Sequence, residues 1–194
     1  MKTTISRRQF LAASAAGSIG LAAPGATPPA PAAVFAQRGY YILPCRTPTL
    51  GYEACRDMID AMAEDNANTV ILWLGGGFRS KKFPITWQYN AEHANVREDI
   101  IGRLIRHAHT RGVRCLLGFT PFGYDGVNRY PLEHPELKAT GPDGKPAAEF
   151  GIHCWGWNLC PAQPQSQRFM IEYAREMAFE FYPDADGLFI ESSD

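Results

Sequence analysis

Between residues 39 and 191 the hydrophobic pattern switches repeatedly between a strand-like and a helical period. Gly39–Leu43 is a short β-rich run ended by Pro44, and Tyr52–Glu64 then sets Cys55, Met58, Ile59 and Met62 at helical spacing. Thr69–Leu74 is a nearly continuous apolar run, the pattern of a strand covered on both faces, and Gly75-Gly76-Gly77 stops it. A second helix is expected from Asn95, with Glu98 in capping-box position and Ile100, Ile101, Leu104, Ile105 and Ala108 as its stripe. Gly112 closes that helix, and Val113–Thr120 reads as a third strand. After a long loop, Phe169, Met170, Tyr173, Ala174, Met177 and Phe181 mark a third helix, and Asp186–Glu191 a fourth strand.

Strands of the buried type alternating with amphipathic helices predict a parallel sheet built from βαβ units. A doubly wound sheet and an eight-stranded barrel both satisfy that rule. No Gly-x-Gly-x-x-Gly follows the first strand, so the dinucleotide fold lacks its marker. The connections before strands are short and those after the second and third strands are long, as in a barrel whose active face is made by strand-to-helix loops. A complete barrel takes about 250 residues, and four strands of this type are visible. The expected fold is therefore α/β, the N-terminal half of a TIM-type (β/α)8 barrel truncated after its fourth strand.

The first residues read as an export leader. Ser6-Arg7-Arg8-Gln9-Phe10-Leu11 precedes an Ala/Gly/Leu run and a Pro/Ala-rich spacer, with Val34-Phe35-Ala36 as a cleavage site. The paired arginines resemble the twin-arginine motif, which makes the twin-arginine export machinery an expected partner and the periplasm or exterior the expected location. The expected organisation is leader and spacer over 1–36 and a partial barrel over 37–194. The apolar run is short and broken by glycine, so no stable membrane span is expected. Lys and Arg number 19 against 20 Asp and Glu, with no basic stripe, which argues against a nucleic-acid partner.

Of the five cysteines, Cys55 and Cys115 sit in apolar patterns and read as buried. Cys45 is unassigned, whereas Cys154 and Cys160 share a loop and could pair in an oxidising compartment. No Cys-x-x-Cys occurs, His107 and His109 fall on different sides of a helix, and no metal site or cofactor is expected. Gly75-Gly76-Gly77 has no following Lys-Ser/Thr, so it reads as a turn and not a phosphate cradle.

Chemistry is expected at the C-terminal tips of the strands. Glu191 ends the fourth strand, and if it points inward then Phe189 does too, while Leu188 and Ile190 face the helices. Asp194 lies just beyond, placed to bond a substrate or orient Glu191. Arg46 after the first strand and Trp73 at the tip of the second are expected to reach the same face, and Tyr124 and Asp125, early in the long loop, are further candidates. That loop, from Pro121 to Gln163, also holds His134, His153, Trp155, Trp157 and Asn158. Loops of this length are functional or disordered, and this one is too aromatic for disorder. Tryptophan faces stack on the C–H faces of sugar rings, and Asn and His bond hydroxyls. The candidate substrate-binding set is thus Arg46, Trp73, Tyr124, His153, Trp155, Trp157 and Asn158.

The order His134-Pro-Glu-Leu137, Gly141-Pro-Asp-Gly144, Asn158-Leu-Cys-Pro161 and Asp186-Gly-Leu-Phe-Ile-Glu191 resembles that of barrel-type glycoside hydrolases and related secreted barrels. The resemblance runs over roughly residues 39 to 194. It implies a carbohydrate substrate and hydrolysis of glycosidic bonds, with Glu191 as general acid/base and Asp194 or a carboxylate on a later strand as its partner. Ile190 stands before Glu191, where such barrels commonly carry Asn-Glu, and the Asp-Glu pair of hexosaminidase-like barrels is absent. Two other readings of the same residues are a metal-dependent sugar isomerase or epimerase, and a carbohydrate-binding barrel without catalysis.

Overall fold

The computed structural model describes residues 35–44, 47–124, 126–147 and 156–191, and residues Gln37–Asp194 form one compact unit. Four strands, β1 (Gly39–Ile42), β2 (Thr69–Trp73), β3 (Arg114–Phe119) and β4 (Gly187–Ile190), make one parallel sheet in sequence order. Sequential order is the winding of a barrel; a doubly wound sheet reverses direction partway across. The helices between strands are α1 (Tyr52–Glu64), the single turn α2 (Ala94–Arg97), α3 (Ile101–Thr110) and α4 (Pro164–Arg175). The last of these runs on into a π-helical segment over Glu176–Phe181.

Alternation along each strand separates two faces. Val70 and Leu72 of β2, with Leu74 just beyond, and Cys115, Leu117 and Phe119 of β3 are buried in one core with Cys55 and Ile59 of α1, Leu104 and Ile105 of α3, and Phe169 and Tyr173 of α4. All three long helices therefore cover the same side of the sheet. Each fully buried aliphatic side chain in this layer stabilises the fold by about 1.5–3 kcal/mol. The opposite face carries Tyr41, Trp73 and Phe189, with the Tyr41 ring meeting the other two.

The sheet is strongly curled. Flat, with strands about 4.8 Å apart, β1 and β4 would lie about 14 Å from each other. Instead the Tyr41 ring on β1 reaches the Phe189 ring on β4, with centroids 5.8 Å apart. Such curvature belongs to a barrel wall. Leu188 and Ile190 point to the helix side, as alternation requires, yet are 40% and 58% exposed; no described helix covers that part of β4. Met58, expected in the stripe of α1, is likewise exposed.

The second helix departs from expectation. Asn95 and Glu98 do not form a capping box: the helix breaks at Asp99, which has a left-handed φ of 49°, and resumes at Ile101. Both side chains serve the loop after β1 instead. Asn95 Nδ2 donates to the carbonyls of Pro44 and Thr47, and the Glu98 carboxylate accepts the Tyr52 N–H at 3.0 Å, capping the start of α1. Gly51 makes that approach possible, since a Cβ there would lie 2.6 Å from Glu98 Oε1. The stripe Ile101, Leu104, Ile105 and Ala108 is buried as expected.

Candidate active face at the strand ends

Glu191 follows β4 directly, and its N–H donates to the Phe119 carbonyl, so the sheet holds its backbone. The Tyr41 hydroxyl donates to Glu191 Oε2 at 3.5 Å. Glu191 thus lies on the inner face with Phe189, in the register expected from alternation. Asp186, at the other end of β4, has a different task. Its carboxylate accepts the Cys115 N–H at 2.7 Å and pairs with His109 Nε2 at 2.9 Å. Partial burial pushes the Asp186 carboxyl upward, but those two partners outweigh it and hold the group below its ordinary range.

Trp73 is at the predicted place but is only 1% exposed. Its ring packs on Tyr41 (5.6 Å) and Tyr124 (6.3 Å) and lies over the register partner Gly118, where a Cβ would meet Trp73 Cε3 and Ile71 Cγ2 at 3.0 Å. Trp73 is therefore a floor beneath the face and is not itself open to a sugar. Tyr124 is partly exposed, with a left-handed φ of 70°.

Trp157 and Asn158 belong to a separate part of the long loop. Lys138 pairs antiparallel with Leu159, and Thr140 with Pro146. The Ala139 N–H donates to the Asn158 carbonyl and the Asn158 N–H to that of Ala147. Three of the four resemblance motifs fall within this small assembly, the fourth being β4 itself: Pro135–Leu137 is a 3-10 turn, Gly144 (φ 76°) turns the Asp-Gly tip, and Leu137 and Leu159 are buried. Lys138 Nζ lies 4.6 Å from the centre of the Trp157 ring, occupying one of its faces. Asn158 Oδ1 is buried without a hydrogen-bond partner. No hydrogen bond or ring contact joins Trp157 or Asn158 to Glu191 among the described residues.

Arg46, Asp125, His153, Trp155 and Asp194 lie outside the described residues, as do Cys45, Cys154 and the leader over 1–34. Cys55, Cys115 and Cys160 carry free thiols, and burial beside Asp186 pushes the Cys115 thiol up to about 12. Among the described residues no group of three or more His, Cys, Asp and Glu side chains converges as a metal site would require. Within them no helix is long and apolar enough to cross a membrane. A shallow groove of about 360 Å³ lined by Tyr52, Arg103, Arg106, His107 and Thr110 lies in the helical layer and shares no residue with the strand tips.

Sequence reasoning missed Tyr41, although it has the parity of Glu191 once β1 and β4 are known to meet. It also missed Glu176 and Ser80, two buried polar residues whose partners are far apart in sequence.

No protein-family model matches the chain, and no curated protein matches it in sequence. Solved structures do. A noncanonic maltogenic α-amylase from Thermotoga neapolitana superposes with a TM-score of 0.54 at 16% identity, over 79% of this chain and 38% of the enzyme. The GH20 β-N-acetylhexosaminidase from Streptomyces coelicolor A3(2) gives 0.57 at 18% identity, over 81% of this chain and 33% of the enzyme. An α-galactosidase from Thermus thermophilus gives 0.53 at 18%, over 78% and 30%. The chain thus spans between 30% and 38% of the length of these structures. At such identities the likeness concerns the fold, and that fold is a partial (β/α) barrel of the kind found in glycoside hydrolases.

Proposed function

We propose that this chain is the N-terminal, strand 1 to strand 4 portion of an exported glycoside hydrolase, with Glu191 as its general acid/base. The observation that carries the reading is the position of Glu191 at the C-terminal tip of β4, on the inner face of a curled parallel sheet, beside Tyr41 and above the Phe189 and Trp73 rings. Active sites of such barrels sit at this end. Three solved glycoside hydrolases of different specificity share the fold, which supports the reaction class and leaves the sugar open.

Hydrolysis needs two carboxyl groups, about 5–5.5 Å apart for retention or about 6.5–9.5 Å for inversion. In the proposed mechanism Glu191 protonates the departing glycosidic oxygen, and the partner carboxylate acts from the other side of the sugar. Asp194 or a carboxylate on a further strand fills that second place. In this reading Arg46, Tyr124, His153, Trp155, Trp157 and Asn158 are the residues that bind sugar rings, and Trp73 supports the Tyr41 and Tyr124 rings. Export by the twin-arginine route delivers the folded protein to the periplasm or exterior, where glycans are met.

The test is reducing-sugar release from a panel of α- and β-linked oligosaccharides by the protein as its native host exports it. Turnover that disappears in Glu191→Gln while glycan binding persists supports the assignment. Turnover unchanged in Glu191→Gln removes Glu191 from the mechanism, and binding with no turnover by the wild type leaves a carbohydrate-binding barrel.

A further inference from the structure

Glu176 is 1% exposed, in the π-helical segment after α4, and its carboxylate is turned into the loop that follows β2. It accepts the Ser80 hydroxyl at 2.5 Å and the N–H groups of Lys81 at 2.8 Å and Lys82 at 3.2 Å. A buried carboxylate persists only where donors replace its lost water, and three converge here. The partners lie 94 to 96 residues away in sequence, so the contact is purely tertiary.

Ser80, also 1% exposed, passes this anchoring on. Its Oγ accepts the Phe83 N–H at 2.8 Å and its carbonyl accepts Trp87 Nε1–H at 2.9 Å. These bonds bracket the 3-10 turn Pro84–Thr86, and Asn90 Nδ2 ties the end of the same loop back to the Gly76 carbonyl at 3.0 Å. The loop after β3 rests directly on this platform. Gly126, with φ 93°, sits so close that a Cβ would lie 2.2 Å from the Thr86 carbonyl oxygen and 2.9 Å from the Gly76 nitrogen. Two residues on, the Asn128 carbonyl accepts the Trp157 N–H at 2.8 Å. A continuous path therefore runs from Glu176 through Ser80, Thr86 and Gly126 to Trp157.

We propose that Glu176 is a positioning residue for the C-terminal face: acting through Ser80, it sets the β2 loop and with it the β3 loop that carries Trp157. Its bearing on sugar rests on the reading of that face as a glycan site, while its effect on the loops does not.

Hydrogen–deuterium exchange on the full 194-residue chain tests it. In Glu176→Ala, amides over 80–90 and 126–130 should exchange about tenfold faster, the expected loss for hydrogen bonds to a charged group, while β2 and β3 keep their protection. Glu176→Gln, which retains an acceptor for the two N–H groups and offers an amide N–H to Ser80 Oγ, should restore most of it. Should Glu176→Ala fail to fold, Ser80→Ala should show the same local pattern at smaller amplitude. Binding of maltotriose or diacetylchitobiose, whichever the wild type takes up, should weaken in step with loop exchange. Faster exchange spread evenly over the strands, or loops that keep wild-type protection, would overturn the proposal. A wild type that binds neither sugar counts against the glycan reading, and the exchange pattern still decides the role of Glu176.

Discussion

The Tyr41 hydroxyl donates to Glu191 Oε2 at 3.5 Å, linking β1 to the residue after β4 across the inner face of the sheet. The hydrogen bond is long and the carboxylate exposed, so it contributes less than about 1 kcal/mol. The ring does more, because it packs on both Trp73 and Phe189. Tyr41→Phe should therefore unfold within about 1 kcal/mol of wild type, and Tyr41→Ala should lose an amount near the lower end of about 3–5 kcal/mol. Equal losses in urea unfolding would mean that the hydroxyl, and not the curled packing, holds the two edges together.

Gly118 lies under Trp73 in the register of β2 and β3. A Cβ at that position already meets the Trp73 ring and Ile71 at 3.0 Å. Gly118→Val should cost about 1–3 kcal/mol by overpacking and alter the near-ultraviolet dichroism of the tryptophans. An unchanged midpoint and spectrum would show that Trp73 is not seated on this glycine.

Asp186 supplies an acid-sensitive contribution to stability. Its folded-state carboxyl lies below the ordinary value of 3.8, held there by the Cys115 N–H and His109 against the opposing effect of partial burial. A depressed folded value gives stability that is present above the unfolded pKa and lost as pH falls through the folded one. Asp186→Asn should thus be less stable than wild type above about pH 4, and the margin should close as pH falls below that. A margin that persists in strong acid would assign the effect to packing.

The thiols should divide by burial. Cys115, pushed up to about 12, and Cys55, raised chiefly by burial, should resist iodoacetamide in the folded chain. Cys160 is partly exposed and should react. Mass spectrometry of the labelled peptides decides it, and native labelling of Cys115 would contradict the core described around β3.

Much of the framework was legible because it rests on local periodicity. The runs at Thr69–Trp73 and Arg114–Phe119 and the stripe Ile101, Leu104, Ile105, Ala108 stand where the pattern put them. That Phe189 and Glu191 share one face followed from alternation, and the contacts with Tyr41 show that this face is the inner one. What escaped depends on partners remote in the chain. Asn95 and Glu98 look like helix caps in sequence, yet they bond residues 44 to 52, and the helix breaks at Asp99. Trp73 reads as a surface platform until Tyr41, Tyr124 and Gly118 enclose it. Glu176 carries no local signal, because its three donors lie in the loop between β2 and β3. The Pro-Glu and Asp-Gly motifs were read for their resemblance, and the structure gives them the more local work of turning the β3 loop.

As the proposed general acid, Glu191 gives its proton to the leaving group, so its loss should matter only where the leaving group needs that proton. In the protein produced by its native host, Glu191→Ala should lose turnover of unactivated oligosaccharides by the factor of about 10²–10⁴ typical of general acid catalysis. It should retain bond cleavage with a dinitrophenyl glycoside of the same sugar, whose leaving group needs no proton. Equal losses on both substrates, or no loss on either, would contradict the role assigned to Glu191.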